Sequence, residues 1–412
     1  MSSTIIEDIK ARKILDSRGR WTIEVDVITC GGFGTAAAPS GASTGEHEVV
    51  SFPDGDVEKS LIELEEVIIP ELELWDSSNQ ELIDTLLKEI DGTDNFSNIG
   101  GNAATAVSMA CAKAAANSCC MPLYLYLGGS MAEYKMPFPL GNIIGGGVHA
   151  NGTDIQEFLA IPVGAEDIEV ALEINIAVHE GVKTKLKELG KLHGKGDEGA
   201  WVADMKNEEA LKILSDVCED VSSKTGVMVK PALDVAASEF WSEKEQKYIY
   251  KRDGVKMTRD DHIEYIQKLI DEYGLYYVED PLEENDFEGF AMLKKNALIC
   301  GDDLYTTNAE RINEGIKKDS TNAVLIKVNQ IGTLTDAYHA VRMAKNSNQT
   351  PVMSHRSGET TDETIAHLAV GFGCPVIKTG AVGGERTSKL NELLRISEEL
   401  GFDRAKMADL AI

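Results

Sequence analysis

Five β-rich runs in the C-terminal half of the chain each lead to an ionisable residue at nearly constant spacing. The run 275–278 leads to Glu279, 297–301 to Asp302, 323–326 to Lys327, 351–354 to His355, and 375–377 to Lys378. These end points lie between 23 and 28 residues apart, the length of one strand, one helix and two loops. The repeat predicts a (β/α)8 barrel, in which strand C-termini converge on one face and catalytic groups sit there. Two acids, two lysines and a histidine at those points describe a reaction centre. Asp234 ends the earlier run 227–233 in the same way.

A chain of 412 residues holds a barrel of about 250 residues and a smaller partner domain. The residues before the repeat supply that partner. Ile23, Val25 and Val27 alternate with polar neighbours, Asp16-Ser17-Arg18-Gly19 reads as a turn, and a third strand runs to Ala38. A small, hydroxyl-rich loop follows at 39–45. Residues 57–90 read as helical, with Leu61, Leu64, Val67 and Ile68 on one face, and the Ala-rich stretch 102–120 as a close-packed helix. This predicts an N-terminal α+β domain over 1–135 and an α/β barrel over 136–412, with Met136-Pro137-Phe138-Pro139 as the linker because proline disfavours helix on either side. Residues 241–257 read as a charged, hairpin-like insertion. Thr258 is a suitable N-cap for the next helix, with Asp260 and Asp261 in its first turn and Gly274 at its C′ position.

The net charge of −29 argues against nucleic acid or an anionic membrane as partner. No run approaches 18 apolar residues, so no membrane span is expected, and the N-terminus lacks the pattern of a signal peptide. Seven cysteines without metal-type spacing read as reduced thiols in a cytoplasmic protein.

Asp234, Glu279 and Asp302, on neighbouring strand ends, would meet within a few ångströms. Like charges about 4 Å apart repel by about 4 kcal/mol at an effective dielectric of about 20, and a hard divalent cation such as Mg2+ relieves this. The other reading is that these acids cap helices or pair with lysines. Lys327 and Lys378 are expected across the barrel from them, desolvated and lowered toward neutrality, where a lysine serves as a general base; simple neutralisation of the acids is the alternative. Gly196-Asp197-Glu198-Gly199 is an acidic turn whose glycines could point Glu198 inward, or a solvated loop. Gln156 and Glu157 put polar side chains in an apolar strand. His149 follows three glycines and could be an ordinary loop histidine. His355-Arg356-Ser357 offers a guanidinium and a hydroxyl suited to a phosphate, unless Arg356 is in a structural ion pair.

Along nearly its whole length the chain resembles the enolases, the phosphopyruvate hydratases of glycolysis and gluconeogenesis. The matching segments are 11–19 (ARKILDSRG), 39–46 (PSGASTGE), 156–158 (QEF), 196–199, 234–240 (DVAASEF), 279–281 (EDP), 301–304 (GDDL), 327–332 (KVNQIG), 354–359 (SHRSGE) and 378–380 (KTG), in family order. The resemblance implies an enolase-type barrel with an N-terminal capping domain, and a lyase acting on a small phosphorylated carboxylate, 2-phosphoglycerate. It implies Asp234, Glu279 and Asp302 as ligands of one Mg2+, and Ser43 as a ligand of a second that arrives with substrate. Lys327 would be the base at C2 and Glu198 the acid that expels the C3 hydroxyl, with Glu157 beside it, by a carboxyl whose pKa is raised. Lys378 would bind the substrate carboxylate, Arg356 and Ser357 the phosphate, and His149, Gln156 and His355 would complete a pocket in which Glu279 and Asp302 also face substrate. A homodimer or higher homo-oligomer is implied, with Arg12 and Glu385 as contact partners.

The chain departs from the family at Arg20-Trp21, at Gly145-Gly146-Gly147, in a loop from His149 to Gln156 one residue short, at Ala200-Trp201, and at Val382-Gly383-Gly384, where a proline and an arginine are usual. A relative acting on another carboxylate and a non-catalytic binding protein are the other functions such a sequence could serve.

Overall fold

The computed structural model describes residues 3–42, 44–150, 152–293, 296–401 and 404–410. The chain opens with an antiparallel meander, β1 (Ile6–Leu15), β2 (Trp21–Thr29) and β3 (Phe33–Ala37). Its first turn follows from residue chemistry. The Asp16 carboxylate accepts from the backbone N–H groups of Arg18 and Arg20 at 2.9 and 2.8 Å, and Gly19 takes φ +70°, which glycine adopts without steric cost. Ile23, Val25 and Val27 are fully buried on one face, as strand alternation requires.

The stretch 57–90 is not one helix. α1 (Val57–Glu63) widens into a π-type turn (Leu64–Ile68), and α2 (Ile69–Leu72) then ends. Helix resumes in α3 (Gln80–Asp91). Pro70 explains the widening, because it has no N–H to donate and its ring crowds the preceding turn. Val67 is therefore turned outward and exposed, whereas Leu64 and Ile68 are fully buried. α4 (Gly101–Ser118) is buried over almost its whole surface, which its alanines permit because they let backbones approach on every side. Gly34 of β3 shows how close: a Cβ there would lie 2.3 Å from the Ala110 carbonyl oxygen. A short helix, α5 (Leu123–Gly128), completes this part.

The barrel strands are β4 (Phe138–Gly145), β5 (Glu157–Ile161), β7 (Lys230–Asp234), β11 (Tyr277–Glu279), β12 (Leu298–Gly301), β13 (Ala323–Ile326), β14 (Thr350–Ser354) and β15 (Val376–Lys378). They pair in that order, and β15 closes on β4 through Lys378↔Leu140. A two-residue strand, β6 (Trp201–Val202), adds to the outside of β4. The intervening helices are α6 (Ile168–Glu188), α7 (Asn207–Thr225), α8 (Arg259–Tyr273), α9 (Phe287–Met292), α10 (Ala309–Lys318), α11 (Val328–Ile331), α12 (Leu334–Asn346), α13 (Thr364–Phe372) and α14 (Gly384–Leu400). Thr258 is the N-cap of α8, as expected, and the structure adds a capping box, with Thr258 and Asp261 each bonding the other's backbone. The insertion before it is a three-stranded sheet, β8 (Trp241–Ser242), β9 (Lys247–Tyr250) and β10 (Val255–Met257), one strand more than a hairpin.

Two features differ from a regular barrel repeat read off the sequence. β5 runs antiparallel to both β4 and β7, so its first residue, not its last, lies at the rim where the other strands end. Met136-Pro137-Phe138-Pro139 is also no linker. All four residues are buried and the last two begin β4. Phe138 N–H donates toward β15, to Pro375 O at 2.8 Å. Pro139 therefore faces β5, whose pairing with β4 starts only at Gly141, and its missing N–H costs no ladder bond.

Among the described residues no helix is long and apolar enough to cross a membrane. All seven cysteines are unpaired: Cys30, Cys119 and Cys120 are exposed, and Cys111, Cys218, Cys300 and Cys374 are buried.

Candidate active site

The strand ends meet as the sequence spacing requires. Asp234, Glu279 and Lys378 are the last residues of β7, β11 and β15, while Asp302, Lys327 and His355 follow directly on β12, β13 and β14. Asp234 and Glu279 are in register on adjacent strands. Because β5 is reversed, Glu157 opens that strand opposite Asp234 and Gly145, and Gln156 stands beside it. A small cavity is lined by His149, Gln156, Glu157, Glu198, Asp234, Asp302, Lys327, His355, Arg356, Ser357 and Lys378. About 20 Å³ of space remains between them. Gly41 and Ala42 of the hydroxyl-rich loop also line it, held down by Ser40 N–H to Gly358 O at 2.7 Å and Gly358 N–H to Ser40 O at 2.8 Å. Ser43 lies outside the described residues.

The lysines do not stand off from the acids as expected. Lys378 Nζ lies 2.8 Å from Asp234 Oδ2, 2.8 Å from Glu279 Oε1 and 3.3 Å from Glu157 Oε1. Lys327 Nζ is paired with Asp302. Burial alone would lower both ammonium groups, but Asp302 beside Lys327, and Asp234, Glu157 and Glu279 around Lys378, outweigh it and hold both above the ordinary lysine value. The expected fall toward neutrality is therefore reversed. Among the described residues Asp234, Glu279 and Asp302 do not form one group with all ligand atoms within 4.8 Å of one another, so the close triad expected from the strand ends is not formed here.

The acids remain under electrostatic load. Burial, then the neighbouring Asp234 carboxylate, push Glu279 up to about 8, and the Tyr277 hydroxyl donates to Glu279 Oε2 at 2.5 Å. Buried carboxylates carrying such a load are an all-oxygen donor set that a hard divalent ion would relieve. Two compact groups of possible ligands occur among the described residues, His149 with Glu157 and Glu198, and Asp280 with Asp302 and Asp303, each with its ligand atoms within 4.8 Å of one another.

Opposite the lysine side, Glu198 enters on its turn and accepts from Asn142 Nδ2 at 3.2 Å. Burial, then the facing Glu198, raise Glu157 well above the usual carboxylate range. Burial acts in the same direction on Glu198, but His355 and His149 outweigh it and hold Glu198 well below that range. The raised carboxyl of the pair is thus Glu157, where Glu198 was expected. His355 is pushed down to about 4 by burial.

Three contributors escaped sequence reasoning. Glu48, from the N-terminal part, grips Arg356 through Nη1–Oε2 and Nη2–Oε1 contacts, both 3.0 Å. Gln330 Nε2 donates to Asp302 Oδ1 at 2.8 Å. Arg386, at the start of α14, is fully buried behind His355. Gln330 stands within the 327–332 motif and Glu48 two residues beyond the 39–46 motif, which was the available signal; Arg386 follows the divergent Val382-Gly383-Gly384 stretch and had none. Arg12 bonds within its own chain, to Glu24 at 2.6 Å and to Asp26, and Glu385 approaches Arg386 Nε at 3.5 Å.

Buried side-chain atoms without a protein hydrogen-bond partner gather at this cavity: His149 Nδ1, Gln156 Oε1, Glu157 Oε2, His355 Nε2 and Ser357 Oγ. Buried polar atoms are ordinarily satisfied, so such a concentration marks a surface completed by a polar ligand.

Comparison with known proteins gives the same reading. Residues 6–127 match the family model "Enolase, N-terminal domain" and residues 133–410 match "Enolase, C-terminal TIM barrel domain". The chain is 58% identical to the enolase of Methanosphaera stadtmanae over 415 aligned positions, covering 99% of this chain and 100% of that protein. It is 55% identical to the enolase of Methanothermobacter thermautotrophicus, covering 99% of each, and 50% identical to that of Haloarcula marismortui, covering 96% of this chain and 99% of the other.

Proposed function

The chain belongs to the enolase family, and from that premise we propose how its site works. The protein is a phosphopyruvate hydratase, a lyase that interconverts 2-phospho-D-glycerate with phosphoenolpyruvate and water. The observation that carries the assignment of residues is the set of unpartnered buried polar atoms, on both carboxylate and imidazole groups, around one cavity at the barrel rim.

In this reading Arg356 and Ser357 hold the phosphate, and Lys378 holds the carboxylate of the substrate. Lys327 removes the C2 proton. It does so once Asp302, now its ion-pair partner, takes another partner and no longer keeps it charged. That proton is a very weak acid, because its loss adds negative charge next to a carboxylate. A fixed ammonium at Lys378, in a site closed to water, stabilises the charge as it develops. The C3 hydroxyl then leaves as water, on a proton from the Glu157–Glu198 pair. Glu157 holds that proton at rest and passes it to Glu198, our acid at C3, which faces His355.

Asp234, Glu279 and Asp302 would hold one Mg2+, and Ser43 would contribute to a second that enters with substrate. When bound, the two ions supply Lewis-acid stabilisation of the substrate carboxylate. The loop carrying Gly41 and Ala42 acts as a lid. We also read the protein as cytoplasmic and as a homodimer or higher homo-oligomer. The unpaired thiols support a reducing compartment, and light scattering would report the oligomer.

Purified protein given Mg2+ and 2-phosphoglycerate should generate the ultraviolet absorbance of phosphoenolpyruvate, and EDTA should abolish it. Absence of product at high enzyme concentration would overturn the assignment.

A further inference from the structure

Arg386 lies at the third position of α14 and is completely buried. Among the described residues its one ion-pair partner is Glu385, 3.5 Å from Nε and outside the catalytic cluster. Its guanidinium instead faces inward. Nη1 donates to Arg356 O at 2.6 Å and lies 2.9 Å from His355 Nδ1. Nη2 donates to Ser357 O at 2.8 Å and to Asp197 O at 3.3 Å. It therefore joins the 355–357 segment after β14 to the turn that carries Glu198. The neighbouring backbone makes room for it: Cβ atoms on Gly380 and Gly383 would lie 3.2 and 3.3 Å from Arg386 Cγ.

The contact with His355 has one chemical meaning. A guanidinium only donates, so His355 Nδ1 must accept, and its ring proton must be on Nε2. That nitrogen faces Glu198 Oε2 at 3.3 Å and has no hydrogen-bond partner of its own in the protein. We infer that Arg386 is a positioning residue that locks His355 in the Nε2–H tautomer, so that an N–H, not a lone pair, is presented to Glu198 and to the reacting end of the substrate. Without Arg386, Nδ1 is free to carry the proton. Nε2 would then turn a lone pair toward a carboxylate, which is repulsive, and Glu198 would lose its orientation. The catalytic consequence rests on the hydratase reading, but the tautomer does not, so the two can fail separately.

The test is 15N NMR of protein labelled at histidine, with the His355 signals assigned by their absence in His355→Gln. In the parent protein His355 should show an unprotonated Nδ1 and a protonated Nε2 across neutral pH. A protonated Nδ1 in the parent overturns the inference whatever the activity. Arg386→Met, which keeps the length of the side chain but has no donor, should shift His355 toward the Nδ1–H form and lower kcat by about 100-fold, the range of a lost acid–base contribution, with a smaller effect on KM. Arg386→Lys, which keeps a donor, should restore the parent tautomer and part of kcat. If Arg386→Met folds with the parent tautomer intact, Arg386 does not set it and the inference fails.

Discussion

Arg356 and Glu48 form a two-pronged ion pair across the seam between the N-terminal part and the barrel, with both N···O distances at 3.0 Å. They are 308 residues apart in sequence, and each side chain is about 95% removed from solvent. The planar fork of arginine suits this geometry, and Asn329 Oδ1 accepts from the same Nη1 at 2.9 Å. Glu48 thus orients the group that we assign to the substrate phosphate.

Glu48→Gln leaves a buried arginine without its counter-charge. Breaking one side of a buried pair costs about 3–5 kcal/mol. The thermal midpoint should fall clearly, and KM for 2-phosphoglycerate should change as Arg356 loses its fixed orientation. Parent-like stability and KM would show that the pair contributes to neither.

Lys327→Ala should reduce exchange of the C2 proton of 2-phosphoglycerate with solvent by about 10²–10⁴-fold. Mg2+ binding, followed by calorimetry, should survive because the carboxylates remain. Exchange at the parental rate would remove Lys327 from the role of base.

The raised Glu279 gives a pH effect with a definite sign. Its folded value, about 8, lies above the unfolded value of about 4.3, so between these the folded state binds more protons. Stability contributed by this group is complete below the unfolded value and declines as pH rises toward 8. His262 and His355, each held down to about 4 by burial, act in the opposite sense, their contribution being lost as pH falls below about 6.5. The readable quantity is therefore the difference between parent and Glu279→Gln in EDTA. From pH 5 to pH 8 the parent should lose stability relative to the variant, and Mg2+ should reverse the parent's loss at the upper end. Parallel pH profiles would contradict the burden placed on Glu279.

Thr258→Ala removes the capping box of α8. It should cost about 1 kcal/mol, read as a lower thermal midpoint, and leave kcat/KM unchanged because the cap is part of the helix start and not of the cavity lining. A loss of activity at full stability would mean that α8 is coupled to the site in a way its contacts do not show.

Much of this protein was legible in the amino-acid sequence because it is locally encoded. Apolar runs ending on Asp234, Glu279, Lys327 and Lys378 mark strand ends by composition alone, and the Thr258 cap and Gly274 stop are written in neighbouring residues. Where an interaction needs a distant partner, local pattern carries no signal. The reversal of β5, which brings Gln156 and Glu157 to the rim, depends on pairing with strands on both sides. Proline at 137 and 139 reads as a break until the closing strand shows that one N–H is not needed.

The residue types at the reaction centre were determined by the sequence: acids, lysines and a histidine at the ends of successive strands. Their charge states and partners were decided only by the tertiary structure. Glu157 and not Glu198 is the raised carboxyl, both lysines are held charged, Glu48 supports Arg356, and Arg386 stands behind His355. The reason is physical. Desolvation and Coulomb interaction act through a few ångströms of space, and only the folded chain says which groups share that space.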